Sequence, residues 1–252
     1  MRKVRIYNKM QKKYTLEDFR EIMKALRAED GCPWDKVQTH QSLRPCMMEE
    51  AAELISSIRI YDQTGNAENM REELGDILLQ VVMHSQIASE EGLFTWEDVV
   101  QEVSEKMIRR HPNVFGNVIE KDTMEHFQNW DEIKKQEKAG KEWIETPLRE
   151  IPYELPALTR APKILKKVDK LYQKADTYEE SMHKLQSSVE RLSLIGQVRK
   201  EMPEEKEKIQ AEITELLWSI SNISRIFRIP QEQLLNDKIE ETIELHEKGK
   251  HL

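Results

Sequence analysis

Residues 48–82 read MEEAAELISSIRIYDQTGNAENMREELGDILLQVV, and this stretch predicts two antiparallel helices joined by a turn. Apolar side chains recur every three or four residues on both sides of residues 62–66, which is typical of amphipathic helices. Gly65 lies inside the intervening turn segment. We therefore predict helices over about 42–61 and 67–90.

Four carboxylate side chains lie on these helices at helical spacing. Glu50 and Glu53 are three residues apart on the first helix, and Glu73 and Asp76 are three apart on the second, so each pair shares a helix face. Apolar residues flank both pairs and are predicted to be core, so the pairs should point inward or into the mouth of the bundle: Leu54, Leu74 and Ile77.

Carboxylates gathered in such a place repel one another, and a hard divalent cation relieves the repulsion. Oxygen ligands without a histidine nearby favour Mg²⁺ or Mn²⁺ over iron. Gly75 costs about 1 kcal/mol relative to Ala inside a helix, which calls for a close helix approach or room for a ligand. The alternative is that the acidic pairs are simply solvated, as is common in a chain with 47 acidic residues.

Cationic side chains stand where an anionic substrate would need them. Lys106, Arg109 and Arg110 end a predicted helix that begins at Thr95, and Trp34 and Lys36 lie in an aperiodic loop over 31–42. Arginine and lysine bind phosphate well, although cations at a helix end also complement the helix dipole. Carboxylates, a metal and cations together are the components of phosphoryl chemistry. No GxxxxGK[ST] motif is present, so a P-loop NTPase is excluded.

The remaining sequence is also helical in pattern. Only 8 of 252 residues are glycine, and periodic segments recur over 15–28, 122–139, 159–175, 178–200, 204–228 and 231–248. Prolines interrupt the pattern between them, at residues 147, 152 and 156. We predict an all-α chain with a first domain over 1–140, a linker over 141–157 and a second domain over 158–252.

Composition narrows the choice of partners. Lys plus Arg is 39 and Asp plus Glu is 47, a net charge of −8, so we expect no nucleic-acid partner. The apolar runs are far shorter than the roughly 18 residues that cross a bilayer, so we expect no membrane association. The basic N-terminal segment lacks an apolar stretch, which indicates a cytoplasmic protein rather than a secreted one.

Four motifs in order carry a resemblance to a known family. They are Gly31-Cys32-Pro33-Trp34-Asp35, Glu49-Glu50-x-x-Glu53, Glu73-Leu74-Gly75-Asp76 and Arg109-Arg110-His111-Pro112-Asn113-Val114-Phe115. Their spacing is similar to that of the MazG nucleoside triphosphate pyrophosphohydrolases, and the similarity covers about residues 15–140. The resemblance implies a helical homodimer that uses Mg²⁺ to cleave NTP or dNTP between the α and β phosphates, giving NMP and pyrophosphate.

The resemblance also implies roles for particular residues. The family's metal ligands match Glu50, Glu53, Glu73 and Asp76, and Glu49 matches the first acid, which holds a second ion or orients the attacking water. Glu49, Glu50 and Glu53 are thus the catalytic candidates. The residues implied to contact the nucleotide are Lys106, Arg110 and Trp130, followed by Arg109, Trp34 and Lys36.

The C-terminal half resembles a second copy of the same unit, beginning near Leu155-Pro156-Ala157-Leu158. Glu212 and Glu215 lie where the second acidic pair belongs, but Ser187, Ser188 and Arg191 replace the first. We therefore predict a degenerate second repeat without catalytic activity. The competing functional hypotheses are a non-catalytic helical interaction module and a nucleotide sensor that binds without turnover.

Overall fold

The computed structural model describes residues 13–117, 146–195 and 203–248, together with the single residues Trp130, Ile133 and Glu137. These residues contain helices and no strands, so the all-α prediction is confirmed. The chain divides into two compact units, Met1–Lys138 and Ala139–Leu252. Within the described ranges no helix is both long and apolar enough to cross a bilayer.

The helices follow the sequence periodicity closely. In the first unit they are α1 Leu16–Arg27, α2 Arg44–Thr64, α3 Glu68–Glu90, α4 Trp96–Arg110 and the single turn α5 Pro112–Phe115, with a 3₁₀ turn at Asp35–Val37. In the second they are α6 Ala157–Tyr172, α7 Tyr178–Ile195, α8 Pro203–Phe227 and α9 Gln231–Lys248. The predicted helix over 122–139 lies outside the described residues, apart from Trp130, Ile133 and Glu137.

The second unit is built on the α7–α8 pair, with α6 packed on α8 and α9 on α6. Its buried side chains are largely polar, and several of them hydrogen-bond to one another. The Asn222 amide nitrogen donates to the Asp176 carbonyl at 2.6 Å and to Ser181 Oγ at 2.8 Å. The Gln231 amide donates to Ser221 Oγ at 2.9 Å. Hydrogen bonding therefore does here part of what apolar packing does in other cores.

The segment before α6 is irregular where it is described, over residues 146–156. Ile151 within it is buried, and the Lys167 ammonium of α6 bonds to the Glu150 carboxylate and the Pro147 carbonyl. This part of the predicted linker belongs to the second compact unit. The domain limits predicted from the sequence stay a prediction.

The first unit has its apolar core at one end of the α2–α3 hairpin. Buried residues from α1, the start of α2 and the second half of α3 pack there: Met23, Leu43, Val82, Met83 and Ile87. Toward the connecting turn, where Gly65 takes a left-handed φ of 72°, the hairpin is less covered. Leu74 is 52% exposed, so its predicted place in the core is wrong within this chain. Met23 of α1 packs with Val82, Met83 and Ile87 in the far half of α3, whereas Leu74 lies in the near half.

The loop between α1 and α2 is held by the Arg27 side chain, which is 6% exposed. Its guanidinium donates to the carbonyls of Asp35 and Gln38 and to the Glu90 carboxylate of α3, at 2.7 to 3.1 Å. Gly31 fits against the end of α1 so closely that a Cβ there would lie 2.3 Å from the Leu26 carbonyl oxygen. The loop is thus fixed to both helices.

Two histidines join the same loop to α3. The Nδ1 atoms of His40 and His84 lie 2.7 Å apart and the rings stack at 5.0 Å, while Glu91 Oε2 lies 3.9 Å from His40 Nε2. Burial lowers the pKa of His84 below its ordinary value of 6.5, and the His40 ring lowers it further. One proton at most fits between the facing nitrogen atoms.

We expect His84→Gln to make folding stability less dependent on pH. A histidine whose pKa is lower in the folded chain costs no stability well above pH 6.5, and the cost grows as the pH falls through 6.5 toward the folded pKa. The wild-type melting temperature should therefore fall more between pH 7.5 and 5.5 than that of the variant. The control is His246→Gln, an exposed residue of α9. Equal pH dependence in all three proteins would contradict the coupling.

Candidate metal centre

Three carboxylates converge between α2 and α3. One oxygen from each of Glu50, Glu73 and Asp76 lies within 4.8 Å of the other two, the one such group of metal-binding side chains in the described ranges. Glu73 is 9% exposed and accepts a hydrogen bond of 2.6 Å from the Asn69 amide one turn earlier. The i,i+3 spacing on α3 and the hairpin packing together create the cluster.

The other two predicted acids stand beside this cluster. Glu53 and Glu49 are both exposed on α2, and neither belongs to the group of three. Their charges nevertheless act on Glu50. The structure therefore brings together three of the four predicted metal ligands and leaves Glu53 at the rim.

The cluster carries more negative charge than its surroundings compensate. Burial raises the pKa of the Glu50 carboxyl above its ordinary value, and repulsion from the neighbouring carboxylates raises it further, in the order Asp76, Glu53, Glu73 and Glu49. An all-oxygen ligand set with excess negative charge suits a hard divalent cation such as Mg²⁺ or Mn²⁺. The residues therefore fit the metal that the sequence predicts.

Open space adjoins the cluster on α3. A Cβ built on Gly75 would meet nothing within 4 Å, so a close helix approach within the described chain is not the reason for this glycine. Apolar residues of the same two helices are exposed as well: Met48, Ile55, Ile58, Leu74 and Leu78. The hairpin thus presents an uncovered apolar face beside its acidic group.

The predicted cations of α4 form a separate cluster. The guanidinium of Arg110 donates two hydrogen bonds to the Glu137 carboxylate, at 2.6 and 3.1 Å, and lies 5.1 Å from the centre of the Trp130 ring. Arg109 reaches the same carboxylate at 3.3 Å. These hydrogen bonds lower the pKa of Glu137, and the hydrogen bond from Arg110 has the largest effect. Two predicted phosphate contacts are therefore held by one acid, and the structure does place Trp130 next to them.

The other residues predicted to contact the nucleotide make few polar contacts with the described part of the chain. Lys106 is half-buried on α4, and among the described residues its ammonium has no hydrogen-bonding or ion-pair partner. Trp34 is 58% exposed in the loop, and Lys36 Nζ donates to the Glu29 carbonyl at 3.1 Å. Helix α4 packs against α3, which carries Glu73 and Asp76.

Sequence reasoning missed two functional neighbours. Asn69 orients Glu73, and its position four residues earlier on the same helix was a usable signal. Glu137 forms an ion pair with Arg110 from 27 residues away, and no local pattern indicates such a pair. A further acid in the basic cluster was therefore not foreseeable.

Comparison with known proteins supports the class that the site suggests. Residues 38–115 match the model of the MazG nucleotide pyrophosphohydrolase domain. The nucleoside triphosphate pyrophosphohydrolase/pyrophosphatase MazG of Thermotoga maritima is 37% identical over 236 residues, 94% of this chain and 86% of that protein. A nucleoside triphosphate pyrophosphohydrolase of Escherichia coli is 34% identical over 237 residues, 87% of this chain and 82% of that protein.

An uncharacterized protein of Bacillus subtilis, YabN, is 40% identical over 223 residues, but the chain spans only 44% of that longer protein. The family match and these relatives indicate a helical hydrolase of phosphoanhydride bonds. The chain belongs to the MazG family of nucleoside triphosphate pyrophosphohydrolases.

We expect Glu50→Gln to stabilise the metal-free protein. Removing one charge relieves the repulsion that raises the Glu50 pKa, so the melting temperature in EDTA at pH 7.5 should rise. Millimolar Mg²⁺ should raise the wild-type melting temperature by mass action and leave that of the variant nearly unchanged. Glu102→Gln removes an exposed charge of α4 and serves as the control. A Mg²⁺ shift of wild-type size in Glu50→Gln would contradict the assignment.

Proposed function

We propose that this chain cleaves nucleoside triphosphates, NTP or dNTP, between the α and β phosphates and releases NMP and pyrophosphate in a Mg²⁺-dependent reaction. The observation that carries the proposal is the group of Glu50, Glu73 and Asp76 on one helical hairpin in a chain of this family. Mn²⁺ fits the same oxygen ligands.

The acidic residues have two proposed roles, metal binding and proton transfer. Glu50, Glu73 and Asp76 would hold the cation, and Glu53 completes the set from the rim. When bound, the cation polarises phosphate oxygens and lowers the pKa of bound water. Glu50 has a raised pKa while the site is metal-free, and either it, Glu53 or Glu49 can accept a proton from the attacking water. The three are therefore proposed as catalytic residues.

The cations and aromatic residues would position the substrate. Lys106 has no protein anion to satisfy it in the described chain, so a phosphate oxygen is a suitable partner. Arg110 and Arg109 are oriented by Glu137 and can add charge stabilisation for the departing pyrophosphate. Trp130, Trp34 and Lys36 complete the proposed nucleotide contacts.

The exposed apolar face of the α2–α3 hairpin supports a homodimer. Large apolar side chains rarely cluster on a surface without a partner, and here they adjoin open space at Gly75. A second copy on this face would also bring its own charged residues close to the acidic group. We further propose a cytoplasmic enzyme whose catalytic domain is 1–140 and whose domain 158–252, joined by the linker 141–157, is non-catalytic.

The activity test is pyrophosphate release by the full chain from a panel of ribo- and deoxyribonucleoside triphosphates. EDTA should abolish release, and Glu50→Gln or Asp76→Asn should lower kcat/KM by roughly 100-fold or more, because a metal supplies several kcal/mol of transition-state stabilisation. Glu102→Gln is the control. Binding of nucleotide without any release would favour the sensor, and no binding at all would favour the interaction module.

Lys106→Ala should weaken productive substrate binding. A hydrogen bond from a charged donor contributes about 1.5–3 kcal/mol, which corresponds to roughly a tenfold or greater loss of kcat/KM. Lys24→Ala on α1 removes an exposed lysine of the same type and should have no such effect. Steady-state kinetics at saturating Mg²⁺ measures both. Unchanged kcat/KM in Lys106→Ala would remove this residue from the site.

A further inference from the structure

The second unit repeats the burial pattern of the first around its own helical hairpin. On α3 the buried residues that follow Glu73 by 7, 9, 10 and 12 positions are Gln80, Val82, Met83 and Ser85. On α8 the buried residues that follow Glu212 at the same four distances are Ser219, Ser221, Asn222 and Ser224. The two helices therefore use the same face, and Glu212 occupies the position of Glu73.

A similar spacing, different by one residue, relates the first helix of each pair to the second. Glu73 follows Glu50 by 23 residues, and Glu212 follows Ser188 by 24. Ser188 is fully buried, and Arg191 stands three residues later, where the first unit has Glu53. Glu215 takes the position of Asp76. The acids of α8 are thus kept, while the acids of α7 are replaced by a hydroxyl and a guanidinium.

The Arg191 guanidinium lies among the retained groups. Its Nη2 donates to Glu212 Oε2 at 2.7 Å and to Ser188 Oγ at 3.0 Å, and its Nε donates to Glu212 Oε1. The Glu212 side chain is 15% exposed. The arginine also lines a cavity of about 450 Å³ together with Glu215, His183 and Lys184. The ammonium of Lys184 is bound to Asp176 at 2.6 Å.

This arrangement reverses the electrostatics of the first unit. The hydrogen bond from Arg191 lowers the pKa of Glu212, with help from Ser188, whereas burial and the charges of the neighbouring acids raise the pKa of Glu50. A bidentate guanidinium satisfies both oxygens of a carboxylate and supplies a fixed positive charge. The acids of α8 therefore have an internal counter-charge.

We propose that the guanidinium of Arg191 takes the place of the divalent cation in the second unit, so that this unit holds its acidic hairpin together without metal and reversal of this one charge converts it into a second divalent-cation site. The proposal rests on the proposed function in one respect, because the metal site of the first unit is its template. It explains why a repeat that has lost half of its ligands retains Glu212 and Glu215.

The test is calorimetric titration of the full chain with Mn²⁺. Wild-type protein should bind at the first unit alone, so Glu50→Gln should abolish binding. Arg191→Glu supplies a third carboxylate beside Glu212 and Glu215 and should add one binding event per chain, which persists in the double variant Arg191→Glu/Glu50→Gln. Lys238→Glu, which places an acid next to Glu241 on exposed α9, is the matched charge reversal and should add none.

Two results would overturn the proposal. One is Mn²⁺ binding by the Glu50→Gln chain that disappears on Glu212→Gln, since the second unit would then bind metal despite Arg191. The other is no added binding in Arg191→Glu. If wild-type protein binds no Mn²⁺, the first-unit site fails, but the added event in Arg191→Glu still decides the present proposal.

Thermal unfolding followed by circular dichroism covers the case of a destabilised variant. Arg191→Glu should melt at a lower temperature than wild-type in EDTA, and Mn²⁺ should restore the loss, including refolding if the variant is unfolded without metal. Arg191→Gln, which removes the charge without adding a ligand, should lose stability and regain less of it with Mn²⁺. Failure of Mn²⁺ to restore Arg191→Glu would contradict the proposal.

Discussion

Repulsion between carboxylates on a helical hairpin is the constraint on which the rest of the molecule depends. Helix packing brings Glu50, Glu73 and Asp76 within 4.8 Å, in a place where burial already disfavours charge. A proton or a cation on that face relieves the repulsion. The neighbouring Asn69 can orient Glu73 through a hydrogen bond but cannot neutralise it.

The second unit contains a similar helical hairpin but buries different side chains. The buried positions of α8 repeat those of α3, but Ser221 and Asn222 stand where α3 has Val82 and Met83. Their hydroxyl and amide groups bond to Ser181 and to backbone carbonyls. Such a core gains specificity from hydrogen-bond geometry more than from buried apolar area. The two units thus share a helical hairpin and differ in the chemistry of the side chains that it buries.

Local sequence pattern was sufficient to predict the helices and the acidic group. Helix limits depend on neighbours along the chain, and the helices begin and end within a few residues of where periodicity places them. The grouping of Glu50, Glu73 and Asp76 followed from i,i+3 spacing on two adjacent helices. Burial was predicted less well. Periodicity identifies the apolar face that carries Leu74 but does not reveal what covers it, and in this chain nothing described does.

Pairs that are distant in sequence lay beyond prediction for a related reason. Arg110 meets Glu137, and His40 meets His84, only because helices return to the same place. The hydrogen bonds of Arg27 to the loop and to Glu90 also join residues that are apart in sequence, and they affect the entropy of ligand binding. A loop tied to α1 and α3 has already lost most of its conformational freedom, so Trp34 and Lys36 would engage a ligand with little further entropy loss, and affinity would depend on contacts rather than on ordering the loop.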